Sequence, residues 1–146
     1  MSVCEIIPGL WLGNIKAASS LEFFEQQKIS CVINCSKDIP FFNDKCENVR
    51  IAVHDNLERD EIKRLYEYFD KATNFIHLRL QANKNILVHC YAGKQRSASI
   101  IAVYLMKYAN LTLYNAIFVI KSKRECAFTP SINFQESLEK YSKKIK

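Results

Sequence analysis

Short apolar runs alternate along the chain with longer stretches in which apolar residues recur every three or four positions. "GLWLG" (9–13), "CVINC" (31–35), "VRIAV" (49–53) and "NILVHC" (85–90) have strand length and are bounded by turn-forming residues. The last is nearly all apolar, as a central strand covered on both faces must be. Between the runs lie helical patterns. Ser19 and Glu22 have capping-box spacing ahead of Leu21, Phe23 and Phe24. Asp60 is placed to cap a long helix in which Ile62, Leu65, Phe69, Ala72 and Ile76 share one face. "SASIIAVYLMKYA" (97–109) is apolar almost all round and predicts a buried helix. Thr112 caps the next one, and "PSINFQESLEKYSKKI" (130–145) predicts a last helix with Pro130 in its first turn. Strands alternating with helices, then helices alone, predict an α/β fold. Its central, mainly parallel sheet should have about four to five strands flanked by helices, with a ligand site at the carboxyl ends of the strands.

Composition narrows this picture. The 146 residues are 49% hydrophobic and 25% charged, with three glycines, three prolines and no linker-like or repetitive tract, so a single domain over 1–146 is expected. No apolar run approaches the roughly 18 residues of a membrane span, and the N-terminus lacks the layout of a secretory signal. The expected location is the cytoplasm, with the nucleus as a second compartment. Six cysteines (Cys4, Cys31, Cys35, Cys46, Cys90, Cys126) are irregularly spaced, which favours reduced thiols over a disulfide framework. No Cys-x-x-Cys or His-x3-His pair suggests a metal site. The net charge of +6 suits an acidic partner, or simply a soluble surface with a basic tail.

One stretch points to chemistry. "VHCYAGKQRS" (88–97) leaves the central strand and turns into the buried helix. A loop there aims main-chain N–H groups at a helix N-terminus, which is an anion site. Gly93 permits the tight turn, and Arg96 adds a planar fork that can hold two phosphate oxygens. The same environment stabilises a thiolate at Cys90. A thiolate beneath a phosphate, ringed by amides and arginine, is what in-line phosphoryl transfer to sulfur requires. Ser97 is placed to donate a hydrogen bond to the departing thiolate. The leaving oxygen needs an acid, and Asp55, on the segment after "VRIAV", is the preferred candidate. Among its rivals, Asp60 is better used as a helix cap, Glu58 as first-turn charge, and Asp38 lies on a separate loop. His89 has no spaced partner ligands, so it is expected to support the loop by hydrogen bonding.

"HCYAGKQRS", with the aspartate some 35 residues upstream, resembles the dual-specificity protein phosphatases of the cysteine-dependent superfamily. "IIPGLWLGNIKAAS", "ISCVINCS", "RSASIIAVYLMK" and "FVIKSKRECAFTPSINF" extend the likeness over nearly the whole chain. The resemblance implies Cys90 as nucleophile, Arg96 as phosphate clamp, Asp55 as general acid and then base, and Ser97 as the aid to hydrolysis. It implies a phosphate-binding loop of Tyr91, Ala92, Gly93, Lys94, Gln95 and Arg96, and no metal or other cofactor. It implies phosphorylated proteins as substrates, at tyrosine and at serine or threonine. Nucleic acid is not the expected partner.

The sequence departs from that family at Lys94 and Gln95, where a small apolar residue and a serine or glycine are usual. It departs again at Ser131 and Asn133, where asparagine and glycine are more common and where little consequence is expected. Lys94 brings charge to the pocket rim, where acidic substrate groups would meet it. This keeps inositol phosphates, phosphoinositides and RNA 5′-phosphates open as alternative substrates, beside a non-catalytic phosphoprotein-binding module. Cys35, at the end of a neighbouring strand, is either a plain core thiol or a disulfide partner for an oxidised Cys90.

Overall fold

The computed structural model describes residues 1–146. Five strands form one sheet: β1 (Val3–Ile7), β2 (Leu10–Gly13), β3 (Ile29–Asn34), β4 (Glu47–Arg50) and β5 (Asn85–His89). Their spatial order is β1-β2-β5-β3-β4. β5 is central and parallel to both β2 and β3, β4 is parallel to β3, and only β1 runs antiparallel, at the edge.

Six helices cover the sheet: α1 (Ile15–Ala18), α2 (Leu21–Gln26), α3 (Arg59–Gln81), α4 (Arg96–Tyr108), α5 (Leu113–Lys123) and α6 (Gln135–Lys144). The period-two alternation of β5 divides the core between its two faces. Ile86 and Val88 join the large cluster with Leu65, Phe69 and Ile76 of α3 and Ile100, Ile101 and Val103 of α4. Leu87 joins a smaller cluster with Phe23 and Phe24 of α2 and Val32 of β3. Each such fully buried Leu, Ile or Phe contributes about 1.5–3 kcal/mol. Helix α4 is buried from Arg96 through Met106, which explains why its sequence shows no polar face.

The local forecasts need four corrections. The strand expected at 49–53 is Glu47–Arg50, because β3 offers no partner beyond Asn34. Ile51 N still reaches Asn34 O (2.9 Å), but Cys35 N has turned to His89 O (2.8 Å). The α2 cap is Ser20, whose side chain accepts from Phe23 N, since Ser19 ends the short α1. Helix α3 begins at Arg59, with Glu58 and not Asp60 in the N-cap position: the Glu58 carbonyl accepts from Glu61 N and Ile62 N, leaving Asp60 as first-turn charge. The last helix starts at Gln135 and not around Pro130, because the carbonyls of Thr129 and Ser131 accept from the Gln95 side chain. Thr112 does cap α5, accepting from Asn115 N at 3.1 Å. The edge strand β1 (VCEII) and the short α1, capped by Asn14, are too short to have carried a periodic signal.

Candidate active site

The loop between β5 and α4 owes its shape to where its carbonyls go. Cys90 O lies 3.3 Å from His89 Nδ1, which donates to it as the neutral imidazole. Tyr91 O accepts from Ile15 N at 2.9 Å. Ala92 O and Gly93 O accept from Arg124, through Nη2 at 3.0 Å and Nε at 2.8 Å. Lys94 O accepts from Phe128 N at 2.8 Å, and Gln95 O from Ser99 N and Ser99 Oγ at 2.9 and 2.7 Å. Every carbonyl from 90 to 95 is thus committed, while the N–H groups of 91 to 96 make no main-chain hydrogen bond. The loop keeps its donors as an unspent set, which is the arrangement of an anion cradle. Gly93 makes the turn at φ +69°. A β-carbon there would stand 2.5 Å from Gly13 O and 2.7 Å from Arg124 Nη2.

Cys90 forms the floor. It is 2% exposed, with Sγ 3.1 Å from Ser97 Oγ. Burial alone pushes its thiol pKa up. The Arg96 charge, the Ser97 hydroxyl and the N–H groups of Ser97 and Gly93 outweigh burial and bring it below 9.0. The N-terminus of α4 adds its partial positive charge at the same point. Arg96 donates through Nη1 to Val53 O (3.0 Å), and its Nε is buried without a protein partner. A buried guanidinium N–H needs an acceptor, and a phosphate oxygen over Cys90 supplies one.

Burial, chiefly, pushes the His89 pKa from 6.5 to about 4, with Arg50 and Arg96 adding to it, so the ring is neutral near pH 7. Its place is beneath the loop and not in the pocket. Cys35 is fully buried. Burial first, and the nearness of Cys90 second, push its thiol well above the ordinary range.

Above the cysteine opens a pocket of about 260 Å³ lined by Asp55, Cys90, Tyr91, Ala92, Lys94, Gln95, Arg96, Thr129 and Asn133. Asp55 comes from the irregular segment 51–58, and Asp38, Glu58 and Asp60 do not line it. The roles of three residues escaped the sequence reading. Arg124 is 3% exposed and fixes two loop carbonyls. Gln95, 4% exposed, turns its side chain away from the cradle. It donates to Thr129 O and Ser131 O and accepts from Asn133 N (3.0 Å). Asn133, where little consequence was expected, donates Nδ2 to Asp55 Oδ1 at 2.9 Å. Only Gln95 and Asn133 had a visible signal, in departing from the pattern that the rest of the chain follows.

Fold and site together define a cysteine-centred anion site at the carboxyl end of a parallel strand. The chain belongs to the dual specificity phosphatase family: residues 10–144 match its catalytic domain. It is 34% identical over 143 residues to human dual specificity protein phosphatase 16, which covers 97% of this chain but only 21% of that protein. Mouse dual specificity protein phosphatase 14 is 33% identical over 144 residues, covering 98% of this chain and 70% of that one. The solved structure of DUSP15 superposes with a TM-score of 0.86 at 31% identity, over 96% of this chain and 86% of that one.

Proposed function

We propose that this chain is a phosphatase that hydrolyses phosphotyrosine and phosphoserine or phosphothreonine in proteins by way of a phosphocysteine. The observation that carries this reading is the loop around Cys90. The carbonyls of 90–95 are bonded away, the amides of 91–96 donate to no main-chain carbonyl, and the cysteine is held toward the thiolate.

In the first half-reaction the Cys90 thiolate attacks phosphorus in line with the ester oxygen. An S–P bond forms as the P–O bond breaks. The amides of 91–96 and the Arg96 guanidinium neutralise the non-bridging oxygens, and Asp55, protonated, gives its proton to the leaving alkoxide or phenoxide. In the second half the Asp55 carboxylate takes a proton from water as its oxygen attacks phosphorus. The S–P bond breaks, and Ser97 Oγ donates to the returning thiolate at the 3.1 Å contact already present. These steps use protein groups alone.

The residues Tyr91 and Ala92 that line the pocket are exposed, which suits phosphate on a short serine or threonine side chain as well as on tyrosine. The test is turnover of phosphotyrosine and phosphothreonine peptides by parent and Cys90→Ser protein, with trapping of the phosphoenzyme by rapid denaturation near neutral pH. Turnover in chelator, its loss in Cys90→Ser, and label on Cys90 are expected. Appreciable turnover by Cys90→Ser, or dependence on an added divalent metal, would overturn the mechanism.

A further inference from the structure

The acid candidate sits on the least regular part of the site. Segment 51–58 has neither helix nor strand, and Asp55 to Glu58 are all exposed. Three contacts from outside the segment fix its main chain short of Asp55: Ile51 N on Asn34 O (2.9 Å), Arg96 Nη1 on Val53 O (3.0 Å) and His54 N on Glu61 Oε1 (3.3 Å). The Asp55 carboxylate itself has one hydrogen-bond partner, Asn133 Nδ2, at 2.9 Å.

Asn133 is in turn held from below. Its main-chain N donates to Gln95 Oε1 (3.0 Å), and both donors of that same amide are used, on Thr129 O (3.2 Å) and Ser131 O (2.8 Å). Gln95 belongs to the phosphate loop and is nearly fully buried, so its amide has one environment and one orientation. The side chain must span from the loop to the turn 129–133. Serine, with a single heavy atom beyond Cβ, is too short, and glycine at 133 carries no amide to reach Asp55.

We infer that Gln95 and Asn133 are positioning residues for the general acid: a chain running Gln95, Asn133, Asp55 ties the carboxyl to the phosphate loop and holds it over the pocket. The inference rests on Asp55 being the acid, as proposed above. Its physical content is orientational. A protonated carboxyl transfers its proton efficiently only within hydrogen-bond reach of the leaving oxygen, and an exposed aspartate without a tether spends its time among other rotamers. The chain also makes the acid and the cradle one rigid unit, so the acid is set before substrate arrives.

The effect is visible where protonation limits the rate. Asp55→Asn, Asn133→Ala and the double variant are to be compared on p-nitrophenyl phosphate, whose leaving group needs little help, and on a phosphothreonine peptide, whose alkoxide needs the proton. Gln95→Ser serves as a second variant. Inhibition by inorganic phosphate reports whether the cradle is intact in each.

For Asn133→Ala, kcat should fall about tenfold on the phosphothreonine peptide, a fraction of the 10²–10⁴ ascribed to a general acid, and about twofold on p-nitrophenyl phosphate. In the Asp55→Asn background the same substitution should cost less than about twofold on either substrate, because it acts through Asp55. Gln95→Ser should show the same selectivity. Equal losses on both substrates, or a tenfold loss that persists in the Asp55→Asn background, would overturn the tether while leaving the acid in place. If Asp55→Asn itself fails to discriminate between the substrates, the acid assignment falls and the tether with it.

Discussion

The two halves of the site are built in opposite ways. The loop 90–96 carries its chemistry locally: one strand end, one glycine and one helix start bring the proposed nucleophile, amides and arginine together within seven residues, and the carbonyls of 91–94 are anchored by Ile15, Arg124 and Phe128. Segment 51–58 supplies the proposed acid from an exposed, irregular stretch whose position is imposed by Asn34, Arg96, Glu61 and Asn133, from four other parts of the chain. Binding an anion and activating a thiol need preorganised donors, which a short rigid loop provides. Placing a proton donor needs only one carboxyl in one direction, which borrowed contacts can achieve.

The largest effect should come from breaking the loop at its tightest point. Gly93→Ala forces a β-carbon to 2.5 Å from Gly13 O at a φ of +69°, so the main chain must move. Displacing amides of the cradle should lower kcat/KM on p-nitrophenyl phosphate by about 10²–10³, with a parallel loss of inhibition by inorganic phosphate. Near-parent activity would mean that the cradle tolerates another backbone path and is not the rigid half of the site.

Ser97→Ala tests the electrostatics of that half. A hydrogen bond to a charged group contributes about 1.5–3 kcal/mol, so its loss should slow the step in which the thiolate leaves by roughly 10- to 100-fold. Phosphoenzyme should then accumulate and a burst of p-nitrophenol precede steady turnover. Cys90 is held below 9.0 partly by this hydroxyl, so the pH midpoint of its alkylation by iodoacetamide should lie below 9.0 in the parent and rise in the variant. An unmoved midpoint would leave Arg96 and the amides as the sole stabilisers of the thiolate.

This division also explains what the sequence could reveal. The strands flanking the loop, the buried α4 and the spacing of Cys90, Gly93, Arg96 and Ser97 are local patterns, and they were legible. So was Asp55 as a carboxylate after a strand, because topology puts such residues at one end of a parallel sheet. What holds Asp55 was not: Gln95 and Asn133 stood out only as departures from the family pattern, and they lie 38 residues apart, so nothing local showed that they meet. Arg124 was hidden for the same reason: 31 residues separate it from Gly93, and an arginine at a helix end is usually solvated. The β4 boundary failed because an apolar run does not show where its partner strand ends.

Acid should loosen the borrowed half. Burial would push the Glu61 pKa up, but hydrogen bonds from Lys37 Nζ (2.6 Å), His54 N and Arg64 Nη1 (2.7 Å) win and bring it from 4.5 to about 2. A carboxylate lowered on folding adds stability that is fully present above its unfolded value near 4.5 and is lost as pH falls toward 2. Glu61→Gln should therefore cost about 1–3 kcal/mol in urea denaturation at pH 6, and the difference from the parent should shrink between pH 4.5 and 2. A difference independent of pH would mean that Glu61 acts by shape alone and does not pin the segment electrostatically.

The smallest expected effect is at Lys94, where the rigid loop carries a side chain of its own choosing. Its carbonyl is locked by Phe128 N, and the half-buried side chain lines the pocket, so substitution should leave the cradle in place and remove only a charge at the rim. Rim charges contribute about 0–1 kcal/mol, and salt weakens them. If the second anion that Lys94 meets is an acidic side chain beside a phosphoamino acid, Lys94→Ala should lower kcat/KM on such a peptide a few-fold, more at low salt than at high. It should barely change turnover of p-nitrophenyl phosphate, which has no second charge. An inositol polyphosphate supplies several anions at short range, and there the loss would be far larger if such compounds were the true substrates. Comparing parent and Lys94→Ala on all three separates these outcomes. A collapse confined to the inositol polyphosphate would move the substrate class while leaving Cys90, Arg96 and Asp55 in the roles proposed for them, because the rim selects what enters and the loop beneath it performs the transfer.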